Sequence, residues 1–227
     1  MATEIEKKWL LGYNPALFSS IQSQAIRTTD IEQGYIPNDG LKMPAGMLAF
    51  VSQGVSFEIP AVVGENILRD ICDENGNFPA DLETRYRVKN ENGKTERLFT
   101  IKGKGRNDGL ARGEVEFPID AELVKIFKEL KVTPKVIPII KTRLNVPAGI
   151  QSPLMEIDFY HQPKFDFISI EVEFPSIKEA QSFVLPAWLA ELKPIDATAE
   201  KAFKNKELAK NPTAANIRYL QLRQAEK

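Results

Sequence analysis

The feature that most constrains the fold of this chain is a set of short segments in which charged and apolar side chains alternate. The first is "EIEKK", residues 4–8. An extended strand would place Glu4, Glu6 and Lys8 on one face and leave Ile5 and Trp9 on the other. One such strand is ordinary at a protein surface, so its meaning depends on how often the chain repeats the pattern.

Six further segments repeat this alternation, nearly always with apolar residues on the opposite face. With "TDIEQGYI" (29–36), they bring the number of candidate strands to eight. The six segments and their charged residues are 82–90 with Arg85 and Arg87, 98–105 with Lys102, 111–119 with Glu114 and Glu116, 136–146 with Lys141 and Arg143, 154–160 with Glu156 and Asp158, and 167–174 with Glu171 and Glu173.

Helical periodicity is confined to three stretches. Residues 120–132 begin with Asp120 as a cap, and residues 176–193 begin with a Ser176/Glu179 capping box before Pro186, which should kink or divide the helix. The final thirty residues also have a helical pattern, broken near 211–213. Strands with helices on their apolar side predict an α+β fold, and eight strands can close into a β-barrel with alternate residues inside. The helices then pack on the outside.

A barrel interior lined with these charges must be wet, because each desolvated ion costs several kcal/mol on the order-of-magnitude estimate for proteins. Carboxylates suit Mg²⁺ or Mn²⁺, and Arg and Lys suit phosphate oxygens. A polyphosphate with divalent metal satisfies both sets. The alternative is an open sheet whose charged face meets water through cross-strand ion pairs.

Composition excludes several other function classes. The chain has 227 residues and a net charge of −1, which argues against non-specific binding to nucleic acid. No run of about 18 apolar residues suggests a membrane span, and the charged N-terminus lacks a signal core, so a cytoplasmic protein is expected. The single Cys72 and the single His161 exclude a disulfide, a cysteine zinc cluster and a multi-histidine site.

The segments, taken in order, resemble the CYTH superfamily, the triphosphate tunnel metalloenzymes. "EIEKK" resembles the family's ExExK signature. It is followed by "IEQGYI", "RYRV", "FTIKGKG", "RGEVEFPI", "KTR", "MEIDFY" and "ISIEVEF", and "AEKAFKNKELAK" resembles a degraded form of the family's C-terminal helix. The resemblance covers the chain except residues 37–81 and the last few. It implies one CYTH-like domain over 1–227, an eight-stranded antiparallel tunnel with an insertion at about 37–81 and a helical tail at about 197–227.

The resemblance also implies roles for individual residues. Metal ligands would be Glu4, Glu6, Asp158, Glu171 and Glu173, and catalysis would centre on Glu4, Glu6, Lys8 and Glu171. Glu114, Glu116 and Glu156 would be supporting acids. A lysine of the C-terminal helix, Lys201 or Lys206, would close the site. The triphosphate would bind Lys8, Arg85, Arg87, Lys102, Lys141, Arg143 and Lys206.

The function implied is hydrolysis of a triphosphate with Mg²⁺ or Mn²⁺, with inorganic triphosphate the first candidate substrate. The alternatives are a thiamine or nucleoside triphosphatase, an adenylate cyclase of the class IV type, and a polyphosphate-binding module without turnover. The expected partner is the small-molecule substrate, with neither nucleic acid nor membrane, and the family suggests a homodimer. The insertion is either a surface elaboration or a lid that selects an organic group.

Overall fold

The computed structural model describes residues 3–37, 40–42, 49–59, 71–72, 78, 82–106, 111–130, 136–149 and 152–225. For residues 3–4, 104–106 and 111–113 it describes the backbone alone. No described helix combines the length and apolar character that a membrane crossing requires.

Twelve strands form two antiparallel sheets within the described residues. Their bounds are β1 (Thr3–Gly12), β2 (Arg27–Tyr35), β3 (Leu41–Lys42), β4 (Ala49–Ser52), β5 (Val55–Glu58), β6 (Glu83–Glu91), β7 (Lys94–Arg106), β8 (Ala111–Pro118), β9 (Ile139–Pro147), β10 (Leu154–Gln162), β11 (Phe167–Glu173) and β12 (Ile195–Asp196). The larger sheet has the order β11-β10-β9-β2-β6-β7-β8-β1-β12, and β1 pairs with β11 as well as with β8. β3, β4 and β5 form the smaller sheet.

All eight predicted strands are present, and the α+β class is confirmed. The larger sheet has nine strands rather than the predicted eight. The ninth, β12, pairs only at Trp9–Asp196 and Leu10–Ile195, and two residues are too few for any periodicity to reveal. A two-residue turn joins β6 to β7: Asn92 and Gly93 both have positive φ, as such a hairpin requires.

Seven helical segments complete the described chain. They are α1 (Pro15–Gln22), α2 (Ala121–Glu129), α3 (Ile177–Ser182), α4 (Ala187–Ala190), a 3₁₀ turn (Lys201–Phe203), α5 (Asn205–Lys210) and α6 (Pro212–Ala225). The predicted caps are confirmed, since Asp120 Oδ1 accepts from Leu123 N at 2.7 Å and Ser176 Oγ from Glu179 N at 3.2 Å. Pro186 divides the second predicted helix, and the tail breaks at Asn211 before Pro212.

The apolar faces of the strands pack outward beneath the helices. One cluster joins Trp9, Leu144 and Ile170 to Leu189. A second, which includes Leu10 and Phe167, joins the same face of the strands that carries the charged residues to the C-terminal segment. Helix α2 covers a third cluster on the outer face of β6, β7 and β8 through Val124 and Phe127. Because side chains alternate along each strand, this outward packing turns the charged residues to the opposite face of the sheet.

The described part of the 37–81 insertion belongs to the third cluster. Phe50 of β4 is fully buried, and its ring centroid lies 5.6 Å from that of Phe127 and 6.2 Å from that of Phe99. Phe57 of β5 packs on the same two rings. The sequence around 65–74 also suggests a short helix within the insertion, but these residues lie outside the described part of the chain apart from 71–72.

Gly34 provides a test of how tightly β2 packs against β6. It pairs directly with Tyr86, and a Cβ atom at position 34 would lie 2.4 Å from the Tyr86 ring, which is buried. We expect Gly34→Ala to lower the free energy of unfolding by about 1–3 kcal/mol, the usual effect of overpacking. Urea denaturation would measure this change.

The control is a double-mutant cycle with Tyr86→Leu, which removes the ring that the new methyl group would meet. In that background Gly34→Ala should lower the free energy of unfolding by a much smaller amount. An equal cost in both backgrounds would contradict the explanation by close packing.

Candidate active site

The charged faces of the strands surround one cavity of about 380 Å³. Every one of the eight long strands of the larger sheet contributes at least one lining residue. The lining residues are Glu6, Lys8, Arg27, Thr29, Ile31, Glu83, Arg85, Arg87, Lys89, Glu91, Glu96, Lys102, Glu114, Glu116, Arg143, Asn145, Glu156, Glu171, Glu173, Lys204 and Asn205.

Most of the site residues predicted from the sequence meet in this cavity. Four do not appear in its lining. Lys141 and Asp158 are buried, with 1% and 0% of their surface exposed. Lys206 instead donates to Leu82 O at 3.1 Å. The side chain of Glu4 lies outside the described residues, although its backbone pairs with Arg112. Predicted residues that do line the cavity are Glu6, Lys8, Arg85, Arg87, Lys102, Glu114, Glu116, Arg143, Glu156, Glu171 and Glu173.

Arg143 is the centre of an ion-pair network on one wall. Its guanidinium donates to Asp158 through Nε at 2.7 Å and through one terminal nitrogen at 2.8 Å. It also pairs with Glu156, and it reaches Glu171 at 3.0 Å. Burial opposes the charged form of Arg143, but Asp158 and Glu171 outweigh it and raise the pKa of the guanidinium. The network joins β9, β10 and β11.

Lys8 links this wall to the C-terminal segment. Its Nζ lies 2.7 Å from Glu171 Oε1 and donates to Phe203 O at 3.0 Å. Burial alone would lower the pKa of Lys8, but the carboxylates of Glu171 and Glu6 raise it. Tyr160 Oη contacts Ser169 Oγ at 2.8 Å and donates to Asn205 Oδ1 at 3.5 Å. The segment that carries Lys204 and Asn205 is therefore fixed at one end of the cavity.

A second group of ion pairs lines the wall formed by β6, β7 and β8. Lys102 Nζ lies 2.6 Å from Glu114, and Arg85 lies 3.4 Å from the same carboxylate. Arg87 lies 3.3 Å from Glu116. Burial, together with the neighbouring Arg85 and Arg143, lowers the pKa of Arg87 to about 10, against the pull of Glu116. Glu116 therefore offsets only part of the effect that burial and the two neighbouring positive charges have on the pKa of Arg87.

Two guanidinium nitrogens show where an anion would fit. Arg85 Nε and Arg87 Nε are buried and have no hydrogen-bond partner within the described part of the chain. Buried N–H groups of this kind are costly, and phosphate oxygens are strong acceptors for arginine. Both arginines line the cavity, so the cavity is suited to an anion with several oxygens.

The carboxylates of β1 and β11 are arranged to attract a cation. Glu6 is directly opposite Glu173 in the register of the two strands, and both line the cavity. Like charges in facing positions are destabilising, and carboxylate oxygens are the ligands that Mg²⁺ prefers. Among the described side chains, no three His, Cys, Asp or Glu residues form a group that could hold a metal ion. The Glu6–Glu173 pair fits a divalent metal as a partial ligand set.

Asp158 fits this role poorly. Its two oxygens accept from Arg143 and from Lys141 Nζ, and its surface is fully buried. Glu171 lines the cavity, but its two oxygens already contact Lys8 and Arg143, which hold the pKa of Glu171 well below its ordinary value despite burial.

The sequence analysis missed several residues of the cavity. Glu83, Lys89 and Glu91 follow the same period of two as Arg85 and Arg87, so extending the alternation along β6 would have found them. Lys204 carries no such signal, because it lies in a turn between the 3₁₀ segment and α5. Other lining residues not anticipated are Arg27, Thr29, Ile31, Glu96, Asn145 and Asn205.

Comparison with known proteins identifies the family. The inorganic triphosphatase of Nitrosomonas europaea is 35% identical over 134 residues, which span 58% of this chain and 78% of that protein. The chain therefore belongs to the inorganic triphosphatase family, within the CYTH superfamily. No family model matches the chain.

Two solved structures are also similar to this chain. A crystal structure of an inorganic triphosphatase is 21% identical, with coverage of 92% of this chain and 96% of that one and a TM-score of 0.46. An adenylyl cyclase-like protein from Hippeastrum, described as having a dominant triphosphatase activity, is 13% identical, with coverage of 87% and 92% and a TM-score of 0.49.

The buried carboxylates predict a dependence of stability on acid pH. Burial favours the neutral form of Glu171, but Lys8 and Arg143 outweigh it, so its folded pKa lies well below the ordinary 4.5. A depressed carboxyl pKa contributes stability that is present above the unfolded pKa and lost as pH falls through the folded pKa. We expect the free energy of unfolding to fall by about 1–3 kcal/mol below pH 4.5 on this account.

Urea denaturation between pH 7 and pH 2.5 would measure this loss, and Glu171→Gln should show a shallower decline than the unmodified protein. Glu200→Gln is the matched control, because Glu200 pairs with Arg218 at the surface and should leave the slope unchanged. Parallel curves for the unmodified protein and Glu171→Gln would show that Glu171 is not the source of the loss of stability at acid pH.

Proposed function

We propose that this protein hydrolyses inorganic triphosphate to diphosphate and phosphate with the help of Mg²⁺ or Mn²⁺. Water would attack the terminal phosphoryl group, the bond from that phosphorus to the bridging oxygen would break, and diphosphate would leave. The observation that carries the proposal is the cavity lining, where buried arginine donors face a wall that bears opposed carboxylates. Membership of the inorganic triphosphatase family supports the same reaction.

A closed tunnel is the arrangement that best explains the cavity. All eight long strands contribute lining residues, and β1 pairs with strands on both of its edges, β8 and β11. We propose that these strands enclose the substrate as an antiparallel barrel, with β12 as an addition at the edge of β1. Such enclosure excludes bulk water and strengthens each ionic contact.

The cationic residues would bind the substrate's oxygens. Arg85 and Arg87 offer Nε donors, while Lys102, Arg143 and Lys8 would exchange part of their contact with carboxylates for contact with phosphate. These groups would also stabilise the negative charge that grows on the leaving diphosphate. Their present ion pairs hold them in position before the substrate enters, so little reorganisation is needed during the reaction.

The divalent metal would be held by Glu6 and Glu173, with Glu4 two residues before Glu6 on the same strand and Glu171 two residues before Glu173. When bound, it would supply charge neutralisation on the phosphate oxygens and orientation of the attacking water. Of the acids predicted as metal ligands, Asp158 is the one whose surroundings do not support this role. Glu114, Glu116 and Glu156 would keep the arginines and Lys102 in place.

The lining favours an inorganic substrate over an organic triphosphate. Among the described residues, Ile31 is the single apolar lining side chain, and the lining includes no aromatic ring. Recognition of adenine or thiamine generally uses apolar and aromatic contacts. The described part of the insertion packs on the outer face of β7 and on α2 rather than against the cavity, which favours a structural role over that of a lid.

A panel of substrates tests this proposal. We expect phosphate release from inorganic triphosphate to have a kcat/KM at least about tenfold above that for thiamine triphosphate or ATP, because the cavity offers ionic contacts and few apolar ones. Activity should require Mg²⁺ or Mn²⁺ and stop with a chelator. Preferred release from an organic triphosphate would overturn the choice of substrate, cyclic AMP from ATP would indicate a cyclase, and binding without release would indicate a binding module.

The C-terminal lysines provide a second test. Lys204 lines the cavity, whereas Lys201 is exposed three residues earlier. We expect Lys204→Met to raise KM for triphosphate about three- to tenfold, the loss of one ionic contact, and Lys201→Met to leave it unchanged. Steady-state phosphate release would measure KM for both variants. An equal change in KM for the two would contradict a contact between Lys204 and the substrate.

A further inference from the structure

Asp158, which is fully buried, forms a two-bond contact with Arg143, which lines the cavity. The two residues are direct partners in the register of β9 and β10. Arg143 Nε donates to Asp158 Oδ1 at 2.7 Å, and a terminal nitrogen of the same guanidinium donates to Oδ2 at 2.8 Å. This bidentate geometry fixes the plane of the guanidinium as well as its position.

Lys141 completes the contact from the other side. Its Nζ donates to Asp158 Oδ2, and both side chains are almost fully buried. Asp158 thus separates two cations of the same strand that would otherwise repel each other in a buried environment. Burial and the neighbouring Arg143 lower the pKa of Lys141 to about 8, and Asp158 opposes this shift.

The surroundings of Asp158 leave little opportunity for a metal ion. Both oxygens accept from cationic donors, and a divalent ion would have to enter a fully buried position beside two positive charges. Coulomb repulsion from two cations at such short range is large in a medium of low dielectric constant. Glu6 and Glu173, in contrast, face the cavity.

The terminal nitrogens of Arg143 also reach two carboxylates that line the cavity, and Arg143 itself is a lining residue. Nη1 pairs with Glu156, and Nη2 donates to Glu171 as well as to Asp158. The orientation that Asp158 imposes therefore determines which donors of Arg143 face an anion in the cavity. Precise orientation of such donors is a large part of how phosphoryl transfer is catalysed.

We infer that Asp158 is a positioning residue that orients Arg143 toward the triphosphate, with Lys141 as its second cation, and that it does not bind the metal. This inference rests on the proposed function, because it names what one residue does within that site. It departs from the role that the family resemblance gives to Asp158. The side chain acts through Arg143 and contacts neither substrate nor metal.

The variant Asp158→Asn tests the inference. Asparagine keeps the size of the side chain but replaces one acceptor with an N–H donor, which would face the donors of Arg143 and Lys141. We expect calorimetry to show triphosphate binding, measured without metal, weakened about tenfold or more, and Mn²⁺ binding, measured without triphosphate, changed by less than about twofold. In kinetics, KM should rise at saturating metal while the metal concentration for half-maximal rate stays the same.

Two comparisons show whether the effect passes through Arg143. Glu173→Gln should give the opposite pattern, with weakened Mn²⁺ binding. Arg143→Lys loses the two-bond contact but keeps the charge, so adding Asp158→Asn to it should weaken triphosphate binding much less than Asp158→Asn does alone. Weakened Mn²⁺ binding in Asp158→Asn, or full additivity with Arg143→Lys, would overturn the inference.

Circular dichroism would first show that each variant is folded. If Asp158→Asn does not fold, Asp158→Glu retains the charge but displaces the guanidinium, and it should weaken triphosphate binding while leaving Mn²⁺ binding unchanged. Weakened Mn²⁺ binding in Asp158→Glu, with triphosphate binding intact, would overturn the inference. The binding measurements need no turnover, so a protein that hydrolyses nothing would contradict the proposed function and still give a clear result for Asp158.

Discussion

The contact between Arg143 and its three carboxylates is the interaction on which the charged face of the larger sheet depends. It joins β9 to β10 through Glu156 and Asp158, and to β11 through Glu171. Buried charges are tolerated only when each has a partner, and removal of one partner commonly costs about 3–5 kcal/mol. Two apolar clusters hold the outside of the sheet, but this network determines how the charged residues of the opposite face are arranged.

The same pairing explains how the cavity can be ready for a polyanion without being strongly positive. Lysines and arginines alternate with glutamates along its walls, so an entering phosphate would replace carboxylates as acceptors rather than meet uncompensated charge. Arg87 also has a carboxylate partner, Glu116, although burial and the neighbouring Arg85 and Arg143 lower its pKa. Binding would therefore be an exchange of partners.

Much of this arrangement could be predicted from the sequence, because a period of two determines which side chains share a face. Glu171 and Glu173 were correctly placed beside the cavity for this reason. Periodicity gives no information about depth, so Glu156 and Asp158 looked equivalent although one lines the cavity and the other is fully buried. The same strand face continues past Asp158 into an apolar cluster of Tyr160 and Phe167 with the C-terminal segment, and the sequence pattern does not reveal that long-range packing.

Short elements were the other features that could not be predicted from the sequence. β12 and the strands of the smaller sheet have two to four residues each, too few to show alternation, and tertiary pairing alone makes them strands. Lys204 was missed for a related reason, since the end of the chain near the cavity is a turn between helical segments. A helical pattern there could not distinguish it from Lys201 or Lys206.

The position of the insertion has a consequence for engineering this chain. Since Phe50 and Phe57 pack edge-to-face on Phe99 and Phe127, the described part of the insertion belongs to the hydrophobic core and cannot be trimmed as a surface loop could. A shortened protein would expose a patch of aromatic rings beside α2, and patches of that kind promote self-association.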